Sequence, residues 1–205
     1  MHDMIELYGA QTGNCFRAAI ALIEADIPFT VRHVDLRAGA HMQQPFMALN
    51  PAGKVPTLVD HNCTPSLVIN QSNAIIQYAD AKAPGTLAPS EIGPGRFRVF
   101  DRYFFFVTDV IATSHAAFFL KRVGLRDAAA PLDHRVVEQL LLAENFLTEA
   151  YMAGGAFSMA DISAFTLAAT IEDRLPWDKL PKLQQWFERM RARPSIEAGM
   201  RAFEV

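Results

Sequence analysis

The chain changes character once along its length, and that change governs what it can fold into. Up to residue 82 short apolar runs alternate with helix-like stretches, while beyond residue 95 only helix-like patterns remain. Residues 83–95 between them carry Pro84, Gly85, Pro89, Ser90, Gly93 and Pro94, the composition of a linker. The first part predicts strands at 5–8, 30–34, 57–59 and 67–69 and helices after the turn-rich loop 10–14, at 45–49 and at 73–82. Asn14 is placed to cap the first of these helices, whose apolar face would be Phe16, Ala19, Ile20 and Ile23. Strand, helix, strand implies a parallel first half, and the short polar turn at 61–64 implies a hairpin.

The remainder reads as a helical domain. Residues 97–120 form a long aromatic helix, and 132–152 an amphipathic one with Val136, Leu140 and Leu147 among its apolar positions. Ser158-Met159-Ala160-Asp161 is a capping box, and Leu183, Trp186, Phe187 and Met190 share a helix face. The expected fold class is therefore α/β plus all-α: residues 1–82 as the first domain, 83–95 as the linker and 96–205 as the helical domain. Bulk properties narrow the function. A net charge of -3 argues against nucleic acid or an anionic membrane as the main partner. Cys15 and Cys63 are too few for a disulfide scaffold and form no metal motif, so no metal is expected and a reducing, cytoplasmic setting fits. Residues 1–4 lack signal-peptide features. The apolar run around 103–120 is broken by Asp109 and falls short of the roughly 18 charge-free residues of a membrane span.

Four motifs occur in register across nearly the whole chain: Asn50-Pro51-Ala52-Gly53-Lys54-Val55-Pro56-Thr57-Leu58, Gln71-Ser72-Asn73-Ala74-Ile75, Phe157-Ser158-Met159-Ala160-Asp161, and the close from Trp186 to Arg193-Pro194-Ser195. Together they resemble the cytosolic glutathione transferases, of bacterial theta-, nu- or beta-like type. The resemblance implies a thioredoxin-like βαβαββα domain holding glutathione as co-substrate, a helical domain holding a small hydrophobic electrophile, and a homodimer with a detoxification role. It implies that Val55-Pro56 is a cis bond whose Val55 backbone pairs with the cysteinyl part of the tripeptide. Gln71 and Ser72 would meet the γ-glutamyl end at a helix entrance, where free N–H groups suit a carboxylate. Lys54 and His41 would hold the glycine carboxylate.

The thiol-activating group stays open. A free thiol titrates near ~8.5, and lowering that by about two units needs roughly 2.7 kcal/mol. A helix entrance supplies about 0.3–1 kcal/mol and a hydrogen bond to a charged acceptor about 1.5–3, so one hydroxyl or amide suffices. Thr12 with Asn14 ranks first, resembling the Thr-x-Asn of nu-type members. Cys15, which resembles the redox cysteine of beta- and omega-type members, ranks second, beside its plain reading as a small packed thiol. Tyr8 ranks third. Tyr103, Phe106, Val110, His115 and Phe119 are candidate walls for the second substrate, although most aromatics on such a helix are core. Asp161, Trp186, Phe187 and Cys63 are read as structural. The reaction expected is addition of the thiolate to an electrophile, with glutathione-dependent peroxide or disulfide reduction beside it. A non-catalytic binding module of the same fold and a glutathione-dependent isomerase are the alternatives.

Overall fold

A computed structural model describes residues 4–204, which divide into two compact units. One runs to Leu87 and takes in the residues from Arg193 onward; the other is Ala88–Ala192.

The first unit begins with β1 (Ile5–Gly9), α1 (Gly13–Glu24), β2 (Thr30–His33), α2 (Gln44–Leu49), β3 (Thr57–Asp60), β4 (Leu67–Ile69) and α3 (Ser72–Lys82). The sheet order is β2-β1-β3-β4. β1 and β2 run parallel, with Leu7 opposite Val31, whereas β3 lies antiparallel to both β1 and β4. This is the parallel half and hairpin that the strand spacing predicts. Strand alternation buries Ile5, Leu7 and Gly9 on one face of β1 and leaves Glu6 and Tyr8 half-buried on the other.

α1 starts one residue before its expected cap. Thr12 is the N-cap, with extended backbone, and its side chain accepts from the Cys15 N–H. The buried residues of α1 include Cys15, Arg17, Ala18, Ala19 and Leu22, while Phe16 and Ile23 are only half-buried. Of the expected apolar face Ala19 and Ile20 are fully buried, and the buried surface is wider than one stripe because α1 is packed by both α3 and α9 (Pro194–Arg201). That last helix, expected with the helical half, clusters with the first unit instead. Arg193 and Ser195 both bind the Glu24 carboxylate at the end of α1. Gly199 lacks the Cβ that would stand 2.9 Å from the Ile20 nitrogen, so the two helices touch backbone to backbone.

In the second unit, α4 (Pro94–Phe105), a π-helical turn (Phe106–Ile111) and α5 (Ala112–Arg122) form one helical run of 29 residues. By length and composition this run is long and apolar enough to cross a membrane, a test that core helices also pass, and Asp109 interrupts its charge-free stretch. Its buried residues Val99, Tyr103, Phe106, Val110, Ile111 and Ala117 give it a core-facing stripe. α6 (Arg126–Phe146) starts earlier than the periodicity suggests, with Pro131 inside it, and ends earlier because turns around the Tyr151–Gly154 bridge follow. α7 (Met159–Ala168) and α8 (Pro181–Arg191) complete the unit. The expected capping box is present. Asp161, fully buried, accepts from the Ser158 N–H and hydroxyl, the Met152 N–H and the Trp186 indole at 2.9–3.0 Å. Burial pushes its carboxyl upward while these donors pull it back. Its role is structural.

A second buried carboxylate ties sheet to helix. Asp60, at the end of β3, accepts from the Tyr78 hydroxyl at 2.7 Å and from the Asn62 backbone and amide, with Lys82 Nζ at 3.5 Å. Tyr78 and Lys82 lie four residues apart on α3. Burial opposes the charge, but these donors outweigh it and hold the carboxyl at about 2. A depressed folded pKa contributes stability above the unfolded value and loses it as pH falls through the folded one, here from about 4 to about 2. Asp60→Asn should therefore cost about 1–2 kcal/mol at pH ~7 in denaturant melts and flatten the acid loss in that window. Unchanged acid unfolding would refute the assignment.

Candidate functional site

Three segments leave the sheet at the same end. Tyr8 pairs with Thr57, so the loop after β1 begins beside the entry to β3, and Leu58 pairs with Ile69, so β4 exits there as well. Residues 10–12, the Val55–Pro56 bond and the entrance of α3 are thereby gathered around one edge. The Val55–Pro56 peptide is cis, as is Thr64–Pro65.

Side-chain amides fix the loop before β3. Buried Asn50 donates from Nδ2 to the Lys54 carbonyl at 2.6 Å and accepts the Ala52 N–H at 3.0 Å. Asn70 Nδ2 donates to the Leu49 carbonyl at 3.0 Å, while its Oδ1 accepts the buried Thr57 hydroxyl at 2.9 Å. Asn70 thus holds the loop to the residue preceding Gln71. Gly53, at a φ of 58°, needs its missing Cβ: one there would stand 2.7 Å from Met42 Sδ. The turn Ala40–Met42 consequently nests on the loop and brings His41 against it, its carbonyl 3.3 Å from that same point. His41 is half-buried, with Nδ1 buried and unpaired, and Lys54 is exposed.

At the α3 entrance Gln71 is the exposed N-cap and Ser72 is buried. The Ser72 hydroxyl accepts from Arg17 Nη1 at 3.2 Å, and the same nitrogen donates to Asn14 Oδ1 at 2.8 Å. Arg17 is only 2% exposed, so a buried guanidinium joins the entrances of α1 and α3. Neither Arg17 nor Asn70 was singled out from the sequence. For Arg17 the signal was available: a cation three residues after Asn14, within an otherwise apolar and small-residue helix.

The four candidates for thiol activation are placed very differently. Thr12 is half-buried at the mouth of α1, and its hydroxyl donates to Cys15 Sγ at 3.0 Å. Asn14 follows it on the first turn, its oxygen engaged by Arg17. Cys15 has no exposed surface, and burial pushes its thiol up, against weaker opposing hydrogen bonds from Thr12 and Ala10. Those are conditions for an inert thiol, the reverse of a reactive one. The Tyr8 phenol donates to Glu6 Oε2 at 2.9 Å on the opposite face of β1 from Leu7, within a cluster that includes Arg32 and His61. Burial, then Glu6, push that phenol up. Of the second-substrate candidates, Tyr103, Phe106 and Val110 are at most 1% exposed and serve as core, Phe106 against Phe146. His115 and Phe119 are exposed on α5.

The α/β unit with its cis-proline loop and two helix entrances, together with a helical unit, defines a class, and comparison with known proteins gives the family. Residues 13–82 match the glutathione S-transferase N-terminal domain and residues 113–199 its C-terminal domain. Glutathione S-transferase 3 of Zea mays is 30% identical over 217 residues, covering 98% of this chain and 95% of its own. The disulfide-bond oxidoreductase YfcG of Escherichia coli is 24% identical, covering 94% and 92%. Among solved structures, the transferase URE2P8 of Phanerochaete chrysosporium superposes with a TM-score of 0.86 at 20% identity, covering 99% and 96%, which bears on the fold. The chain belongs to the glutathione S-transferase family.

The bridge through Arg17 makes a direct prediction. Arg17→Met leaves the polar atoms of Asn14 and Ser72 without their shared donor and should cost about 2–3 kcal/mol in denaturant melts. Arg17→Lys should recover only part of this, since a single ammonium replaces a planar fork. Wild-type stability of Arg17→Met would contradict the bridging role.

Proposed function

We propose that the chain is a glutathione transferase in which Thr12, seconded by Asn14, stabilises the thiolate of glutathione for attack on a small hydrophobic electrophile. The observation that carries this reading is the convergence of the Val55–Pro56 edge, the α3 entrance and the Thr12 mouth of α1 at one end of the sheet. An extended tripeptide suits that arrangement. Its cysteinyl backbone would pair with Val55 in the manner of an added strand. Its γ-glutamyl carboxylate would meet the free N–H groups at Ser72, with Gln71 beside it. Its glycine carboxylate would face Lys54 and the unpaired Nδ1 of His41. The sulfur would then lie before α1, where the Thr12 hydroxyl and the helix dipole together approach the roughly 2.7 kcal/mol that a two-unit drop in thiol pKa requires.

Chemistry then needs no protein base within the core. The thiolate forms a bond to the electrophilic carbon and the leaving group departs with the electron pair. Tyr8, bound to Glu6, and buried Cys15 are less suited to meet the sulfur. Likeness to a relative named as a disulfide-bond oxidoreductase supports a second reaction at the same seat, reduction of a glutathione-accessible disulfide. Both cysteines are unpaired, in keeping with a reducing cytoplasm. A homodimer is proposed as well, because Phe97 and Phe104, seven residues apart along α4, are 59% and 51% exposed.

Steady-state kinetics with an activated aryl chloride test the reading. Thr12→Ala should lower kcat/KM roughly tenfold at neutral pH, mainly through kcat, because less of the bound thiol is then ionised. Calorimetric affinity for glutathione at neutral pH should fall by no more than about fourfold. Undiminished kcat in Thr12→Ala, or no heat of binding at millimolar glutathione in the wild type, would overturn it.

A further inference from the structure

The Thr12 hydroxyl is not idle in the structure. It donates to Cys15 Sγ at 3.0 Å, while the Cys15 N–H donates back to Thr12 Oγ1 at 3.4 Å. The sulfur also accepts the Ala10 N–H at 3.4 Å. Its seat is closed from behind. A Cβ on Gly9 would stand 3.1 Å from Cys15 Sγ and would overlap the Phe203 ring, whose Cζ would lie 2.6 Å away. Phe203 is 1% exposed and belongs to the C-terminal segment that returns to the first unit. Gly9, Ala10, Thr12, Cys15 and Phe203 therefore form one packed group behind the mouth of α1.

We propose that Cys15 is a positioning residue for thiol activation: with glutathione bound, its S–H donates to Thr12 Oγ1 and leaves the hydroxyl hydrogen aimed at the glutathione sulfur. The inference rests on the Thr12 reading above. A hydroxyl has one hydrogen and two acceptor positions. In the free protein that hydrogen is spent on Cys15, and a thiolate is the stronger acceptor, so binding turns it outward. The vacated contact at 3.0 Å then faces Cys15 across a distance a thiol can span. The Ala10 N–H already fills the sulfur's acceptor role, and burial keeps the thiol protonated, so its hydrogen points to Thr12 Oγ1. No proton leaves either residue; the pair exchanges donor and acceptor. The charged group that also faces this sulfur is Arg17, on the same helix.

The test is the pKa of bound glutathione, read from the ultraviolet absorbance of the thiolate as pH is varied over each saturated variant. Cys15→Val keeps bulk and Cys15→Ala removes it; neither has a donor. Both should raise the bound-thiol pKa by roughly half a unit and lower the thiolate-to-thiol ratio at any given pH about threefold. Cys15→Ser, which restores a donor, should bring the value back toward wild type. Affinity for S-methylglutathione, which has no thiol to activate, should stay within about twofold in all three. A purely structural cysteine would change melting temperature without moving the bound-thiol pKa, and that result overturns the proposal, as does a Cys15→Ser value equal to that of Cys15→Ala. Thr12→Val separates the two levels. If it raises the pKa while Cys15→Val and Cys15→Ala do not, only the positioning role falls; if it too leaves the pKa unmoved, the Thr12 reading falls with it.

Discussion

The buried guanidinium of Arg17 between Asn14 and Ser72 is the contact on which the site depends most. It spans 55 residues of sequence to join the entrances of two helices that also pack against each other. Around it the other constraints fall into line. Asn70 and Thr57 hold the loop before β3 to the residue ahead of α3, and Asn50 holds that loop to itself. Each is a side-chain bond with at least one buried or half-buried member. Such bonds are costly to leave unmade, and they define one geometry rather than a family of loop positions.

The chemistry this frame supports is a matter of donors. Carboxylates bordering the sheet are already committed: Glu6 to Tyr8, Arg32 and His61, and Asp60 to Tyr78, Asn62 and Lys82. What the convergent edge offers instead is free N–H groups at α3, a hydroxyl at α1 and a basic rim at Lys54. Those groups bind anions and stabilise negative charge. They suit a peptide with two carboxylates and a thiol better than they suit hydrolysis by a buried base.

Much of the first unit was legible in the sequence because its signals are local. The strand and helix order and the hairpin, like the Ser158–Asp161 cap of the second unit, each follow from turn residues, periodicity and capping chemistry. The parts that were not legible are non-local. Arg17 looks like a surface arginine until α3 is placed beside it. Asn70 reads as a strand end until its two partners, Leu49 and Thr57, are brought to it. The return of α9 to α1 is carried by Gly199 on Ile20 and by Glu24 with Arg193 and Ser195, the latter pairs 169 and 171 residues apart, separations that no window detects. On the long aromatic helix, periodicity marks Tyr103, Phe106 and Val110 as a face but cannot tell a core face from a ligand wall; all three are buried.

The most direct test of the account is a crystal structure of the protein with glutathione. The sulfur is expected within hydrogen-bond reach of Thr12 Oγ1, the cysteinyl backbone along Val55 and the γ-glutamyl carboxylate at the Ser72 N–H. A tripeptide seated away from the Val55–Ser72 edge, or a sulfur held by Tyr8 instead of Thr12, would contradict it.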